Sequence, residues 1–270
     1  MSTFAALVAY DGTRFAGYAR QVAERGPTVQ GALEEAIWQT SGERVTIVAA
    51  GRTDSGVHAS GQVISFASAA RLGPGAWQRA LNARLPADVA ARAVISVADS
   101  FHARRDALAR SYRYRILIDP VRAPLAERFA WRVARALDAP AMHAAAALLR
   151  GEHDFAAFGS SPRDDRATGY RGHTVRTLFE ASCQQVDEHV DLAFSANAFL
   201  TGMVRRLVGA LTLVGEGRLS VEGFREIFEA REKGHPGAAA PARGLCLVGV
   251  RYPPELVTWP EAALSSGAGR

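Results

Sequence analysis

Cysteine is nearly absent from this chain of 270 residues, which carries only Cys183 and Cys246. Each sits inside an apolar run, so neither a disulfide framework nor a zinc site is expected. Lysine is scarcer still, with Lys233 the only one. Long hydrophobic runs are also missing: no window approaches the run of about 18 to 20 apolar residues that crosses a bilayer. The start, Met1-Ser2-Thr3-Phe4-Ala5, lacks the basic opening of a signal peptide and enters a strand pattern directly. No His-Glu-x-x-His or Cys-x-x-Cys motif accompanies His143 and His153, so capping or packing is their reading rather than metal binding. Together these absences point to a cytoplasmic protein with no membrane contact and no metal.

A hydrophobic share of 48% and a charged share of 22% are those of an ordinary globular protein. The length suits one large domain or two modest ones. A net charge of +5 and a sequence pI near 9.7 favour a polyanionic partner. Arginine in an alanine-rich chain also follows from genomic base composition, so the placement of the charges says more than their sum.

In chain order, Phe4 to Tyr10 reads as a strand stopped by Asp11-Gly12, and Asp11 to Tyr18 as a polar loop. Thr28 caps a helix over about Val29 to Thr40, with Val29, Ala32, Leu33, Ala36 and Ile37 at helical spacing. Val45–Ala50 and Gly61–Phe66 read as strands, Pro74 opens a second helix through Trp77 and Leu81, and Ala93–Ala98 is a further strand. This is an α+β layout with helices on a mainly antiparallel sheet. The proline-punctuated stretch Asp119–Arg135 reads as a crossing to a second half, and the two halves are expected at 1–105, carrying the Asp54 loop, and 106–270. Asp138 caps a helix to Leu149, Ser160–Gly172 reads as a mobile surface loop, and Val175–Ala181 with Val190–Ala196 form a hairpin. Phe199, Met203, Leu207 and Leu211 mark one buried helix face, with Arg205 well off that stripe. Ser220 caps a last helix, Ala240–Leu245 leads into a strand through Val250, and Pro253 onward reads as an unstructured tail.

Two stretches carry chemistry. Gly51-Arg52-Thr53-Asp54-Ser55-Gly56-Val57-His58-Ala59 lies between two strands, with glycines where a β-carbon is penalised. In the bland reading, Asp and Ser in such a turn bond their own backbone. In the functional one, an arginine beside Asp54 holds its carboxylate ionised as a nucleophile or base. From Phe101 to Arg115, five arginines (Arg104, Arg105, Arg110, Arg113, Arg115) interleave with Tyr112 and Tyr114. Alternation from Ser111 to Ile118 fits a half-buried strand with tyrosines inward and arginines outward. The same residues suit RNA, with arginine on phosphate and aromatics on bases.

Taken as blocks, these stretches resemble the tRNA pseudouridine synthase A family. Its catalytic loop reads Gly-Arg-Thr-Asp-x-Gly-Val-His-Ala, and further matches are Tyr10–Tyr18, Phe101–Tyr114, Gly151–Phe158, Asn197–Arg205 and Ala240–Leu245. Departures are Ala19, where the family has glutamine, and Thr201 and Gly202, where it commonly has histidines. The resemblance implies a pseudouridine synthase fold with two similar α/β halves around a central cleft. It implies Asp54 as nucleophile, Arg205 as its basic partner, and Arg52 for base flipping or a phosphate. Tyr112 would stack on the target base and Leu245 would line the pocket. Arg14, His58, Arg104 and Arg110 complete the substrate-binding candidates. The implied reaction isomerises uridine to pseudouridine in the anticodon stem-loop of tRNA, without cofactor, in a homodimer that shares one tRNA.

Two rivals belong to other classes. Asp54-Ser55-Gly56 matches an aspartic-protease triplet, but that chemistry needs two carboxylates sharing a proton and the chain has one such triplet. A non-catalytic RNA-binding module would use the arginine–tyrosine segment alone.

Overall fold

The computed structural model describes residues 1–159, 173–231 and 237–265; Lys233 and the stretch 160–172, expected as a mobile loop, lie outside the described residues. The strands are β1 (Ser2–Tyr10), β2 (Val48–Ala49), β3 (His58–Ser68), β4 (Val89–Val97), β5 (Ala109–Ile118), β6 (Trp131–Val133), β7 (Gly151–Asp154), β8 (Val175–Val186), β9 (His189–Ala196) and β10 (Leu245–Arg251). The helices are α1 (Val29–Ser41), α2 (Pro74–Asn82), α3 (Ala139–Ala147), α4 (Met203–Gly215), α5 (Val221–Ala230) and α6 (Glu261–Ser265). Two compact units result: Met1–Arg110 with Cys246–Arg270, and Ser111–Leu245. The division expected from sequence, 1–105 and 106–270, instead leaves the C-terminal strand in the second half. The difference arises because β10 pairs in parallel with β3 (Cys246 with His58, Leu247 with Ala59). Gly61 permits that approach, since a Cβ there would lie 2.2 Å from the Val248 carbonyl oxygen.

In the first unit the strand order is β4-β1-β3-β10, with β2 on β3. β1 runs antiparallel to both neighbours, setting Phe4 opposite Phe66 and Ala5 opposite Ile95. It is buried on both faces, which is why its sequence is nearly continuously apolar. On one face Phe4 stacks with Phe66 and meets Trp77 of α2. On the other, Ala5, Leu7 and Val63 join Ala50, Phe101, Ala103 and Tyr252. Leu256, Val257, Trp259 and Ala263 pack against this second cluster, so the residues after Pro253, expected as an unstructured tail, are part of the core's cover. The Val45–Ala50 strand shrinks to Val48–Ala49 because the Ile47 amide donates to Glu34 Oε1 at 3.2 Å instead of joining a ladder.

In the second unit the order is β5-β9-β8-β7, with β6 parallel to β5. Ser111 with Ser195 and Arg115 with Asp191 show β5 and β9 running in opposite directions. Tyr112 and Tyr114 point into the core, while half-buried Arg115 grips Asp191 with two bonds of 2.8 Å. The Gly151–Phe158 motif is a packing device: Phe155 meets Phe228, and Phe158 stacks on Phe224, both from α5. His153 adds an edge contact to Phe228, and His143 Nδ1 lies 3.2 Å from the Cys183 carbonyl oxygen, so both histidines have the packing role expected of them. Among the described residues no group of three or more His, Cys, Asp or Glu is placed to hold a metal ion, and no helix is long and apolar enough to cross a membrane.

Candidate active site

The loop carrying Asp54 is held almost residue by residue by its own unit. Ala50 enters it with its amide donating to the Val63 carbonyl (2.8 Å), while Arg110 donates twice into the Ala50 carbonyl. The Gly51 carbonyl accepts from Gln62 Nε2 at 2.8 Å, although Gln62 is fully buried in β3. Thr53 shares a 2.8 Å hydroxyl hydrogen bond with Tyr10, and its carbonyl accepts from the Tyr18 amide at 3.0 Å. Ser55 Oγ and the Gly56 amide both donate to the Phe15 carbonyl, and the Val57 amide turns back to the Asp54 carbonyl. Gly56 occupies the left-handed region (φ 77°), as the glycine of such a tight turn must.

The preceding loop, Asp11–Tyr18, therefore has a use beyond displaying Arg14. Its backbone forms the outer wall of the Asp54 loop. The Gly12 amide donates to His58 Nδ1 at 3.0 Å, with no room for a side chain at Gly12. Asp11 Oδ1 lies 3.1 Å from the same ring nitrogen. His58 is buried, whereas Arg14 projects outward and bonds Asp88 at 2.8 Å. Arg52 and Arg104 are exposed, and Asp54 is half-buried. Sequence reasoning missed Gln62, Tyr10 and Tyr18. The one available sign was a glutamine heading an otherwise apolar strand.

The second unit positions the other candidates. Arg205 occupies the first turn of α4 and Nε donates to the Ala240 carbonyl at 2.7 Å, while the Ala240 amide returns a bond to the Arg205 carbonyl. Tyr114 donates its hydroxyl to Pro241 O at 2.8 Å. A Cβ on Gly209 would lie 2.2 Å from Ala238 O, and one on Gly244 would lie 2.6 Å from Tyr114 Cζ. These contacts fix the Ala240–Gly244 approach that delivers buried Leu245 to β10. Tyr112 is buried with its ring edge-on to Phe199 at 5.1 Å. Phe199 precedes α4, which begins at Met203, so it flanks Tyr112 and is not on the helix face expected from its spacing. Arg205, off the apolar stripe, is half-buried rather than fully solvated.

Burial pushes the Tyr10 phenol up to about 12, against the pull of Thr53 and Gln62, and raises Tyr18, Tyr114 and Tyr252 as well. All four remain neutral at neutral pH, and Tyr10, Tyr114 and Tyr252 serve there as hydrogen-bonding groups. Above pH 10 the unfolded chain releases these protons while the folded chain retains them. The native state then binds more protons, and stability falls as pH rises. Tyr10 alone, raised from 10.0 to about 12, contributes a loss of roughly 2–3 kcal/mol. Alkaline titration should therefore give a cooperative loss of circular dichroism between pH 10 and 12, with tyrosinate absorbance rising in the same step. Full ionisation of these tyrosines in a chain still folded would refute this.

Comparison with known proteins adds a second line. The family model for tRNA pseudouridine synthase matches residues 6–105 and 145–253. A tRNA pseudouridine synthase A from Moorella thermoacetica is 43% identical over 245 residues, covering 91% of this chain and 97% of that protein. One from Chloroflexus aurantiacus is 45% identical over 267 residues (97% of this chain, 92% of that protein). One from Neisseria meningitidis is 43% identical over 250 residues (93% and 92%).

Proposed function

The chain belongs to the tRNA pseudouridine synthase family, and on that premise we propose that it isomerises uridine to pseudouridine in the anticodon stem-loop of tRNA with Asp54 as nucleophile. The observation that carries the reading is the Asp54 loop itself, whose flanking residues are tied down by Arg110, Gln62, Tyr10 and the Asp11–Tyr18 backbone. A loop so restrained presents one carboxylate in one place, which is what a positioned nucleophile requires.

The reaction breaks the bond from ribose C1′ to N1 and forms one from C1′ to C5. The C5 proton leaves and N1 gains one, so atoms balance without a co-reactant. It cannot run inside a base stack, and flipping the uridine costs about a few kcal/mol. Arg52, exposed on the loop, fills the vacated space or holds a phosphate. Tyr112 stacks on the flipped base, and Leu245 closes an apolar wall. Arg205 is the charge-assisted partner of Asp54 in this proposal. Arg14 and Arg104, both exposed, add phosphate contacts, and His58 supports the loop from beneath. A homodimer sharing one tRNA, acting in the cytoplasm, completes the proposal.

The test is pseudouridine mapping on an unmodified tRNA transcript, with light scattering for a mass near twice 28.8 kDa. Product in the anticodon arm is the expected result. Tight binding without product would overturn the enzymatic reading in favour of an RNA-binding module.

A further inference from the structure

Arg110 is one of the arginines in the arginine–tyrosine stretch, yet its residue is only 9% exposed. Four of the five N–H donors that a guanidinium carries go to three backbone carbonyls. Nε and Nη2 reach Ala50 O at 3.2 and 3.0 Å, Nη2 also reaches Arg104 O at 2.5 Å, and Nη1 reaches Ala107 O at 3.0 Å. Two of these carbonyls belong to the turn following Phe101. That turn is itself anchored, because the Ala103 amide donates to Ser65 Oγ of β3 and the Ala103 carbonyl accepts from Tyr252. The third carbonyl is that of Ala50, directly before the Asp54 loop. One residue on, Gln62 Nε2 takes the Gly51 carbonyl, and two further on Tyr10 takes the Thr53 hydroxyl.

We propose that Arg110, Gln62 and Tyr10 are positioning residues for Asp54, holding the loop through Ala50, Gly51 and Thr53, and that Arg110 makes no phosphate contact. The proposal rests on the catalytic reading above. Lysine cannot replace Arg110 here, because an ammonium lacks the planar fork that spans several carbonyls. A displacement of about 1 Å at a reacting group costs on the order of 10²-fold in rate.

The experiment compares wild type with Arg110→Met, Arg110→Lys and Gln62→Met under single-turnover conditions, alongside tRNA affinity across a salt series. Wild-type product is the control that tests the catalytic reading separately. Both methionine variants should lose about 10- to 100-fold in the chemical step, with tRNA affinity and its salt slope unchanged. Arg110→Lys should recover little. Amide exchange at Gly56 and Val57, measured without RNA, should quicken in each variant. Should Arg110→Met fail to fold, Gln62→Met carries the same test through the neighbouring carbonyl. The proposal is overturned by an unchanged single-turnover rate. It is equally overturned if the Arg110 variants weaken binding and lower the salt slope by about one contact, the mark of a lost phosphate partner.

Discussion

Asp54→Asn should abolish pseudouridine formation, by about 10⁴-fold or more, the scale on which loss of a covalent nucleophile acts, while tRNA binding stays within a few-fold of wild type. The expectation follows from how the loop is held. Its path is fixed by bonds at the Gly51 carbonyl, the Thr53 hydroxyl and carbonyl, the Ser55 hydroxyl and the Gly56 amide. The bond that Asp54 makes to the Val57 amide is through its own carbonyl, which asparagine retains. The substitution removes a charge and the proposed nucleophilic oxygen while leaving each of these bonds in place. The binding proposed for exposed Arg14, Arg52 and Arg104 does not depend on that oxygen, and removing one negative charge beside a polyanion weakly favours association. Mapping on a transcript together with a filter-binding titration separates the two effects. Product from the asparagine enzyme would show that Asp54 is not the nucleophile. Loss of binding in parallel with activity would show that the loop had collapsed.

The features that sequence reading recovered are those whose cause lies within a few residues. Thr28 accepts from the Gly31 amide, Asp138 from Ala141 and Ser220 from Gly223, as their positions ahead of apolar periodic runs implied. Gly42 ends α1 in the left-handed conformation for the same local reason. What escaped depends on partners far along the chain. Arg110 reaches Ala50 across 60 residues and Gly12 reaches His58 across 46. An arginine among arginines and tyrosines looks solvated until those carbonyls are in view. The residues after Pro253 failed for a similar reason: Leu256, Val257 and Trp259 have no helical or strand period, and their burial depends on the Phe101 turn lying opposite. Phe199 kept helical spacing with Met203, but the helix starts only after Gly202, whose φ of 70° breaks the run. The candidacy of Asp54 and Arg205 rests on the resemblance, since pattern alone assigns them to a turn and a solvated flank.

Gly12→Ala should be among the most damaging single methyl additions in the chain, costing both stability and rate. An ideal Cβ at Gly12 would lie 2.0 Å from Val57 O, 2.6 Å from its carbonyl carbon and 3.0 Å from its nitrogen. All three are backbone atoms of the Asp54 loop, so no side chain can rotate aside to relieve the overlap. Either the Asp11–Arg14 turn lifts, breaking the Gly12 bond to His58, or the loop shifts together with Asp54. Overpacking of this kind costs about 1–3 kcal/mol, and a shift of about 1 Å at the carboxylate costs roughly 10²-fold in rate. Gly249→Ala is the control, because a Cβ there meets nothing within 4 Å and alanine in a strand loses less entropy on folding than glycine. Thermal unfolding and single-turnover rates on the two variants decide the matter. Gly12→Ala should lose stability and rate together, while Gly249→Ala keeps both. If Gly12→Ala retained the wild-type rate, the Asp11–Tyr18 backbone would not be the wall that fixes the Asp54 loop, and the support for Asp54 would reduce to the anchors at Ala50, Gly51 and Thr53.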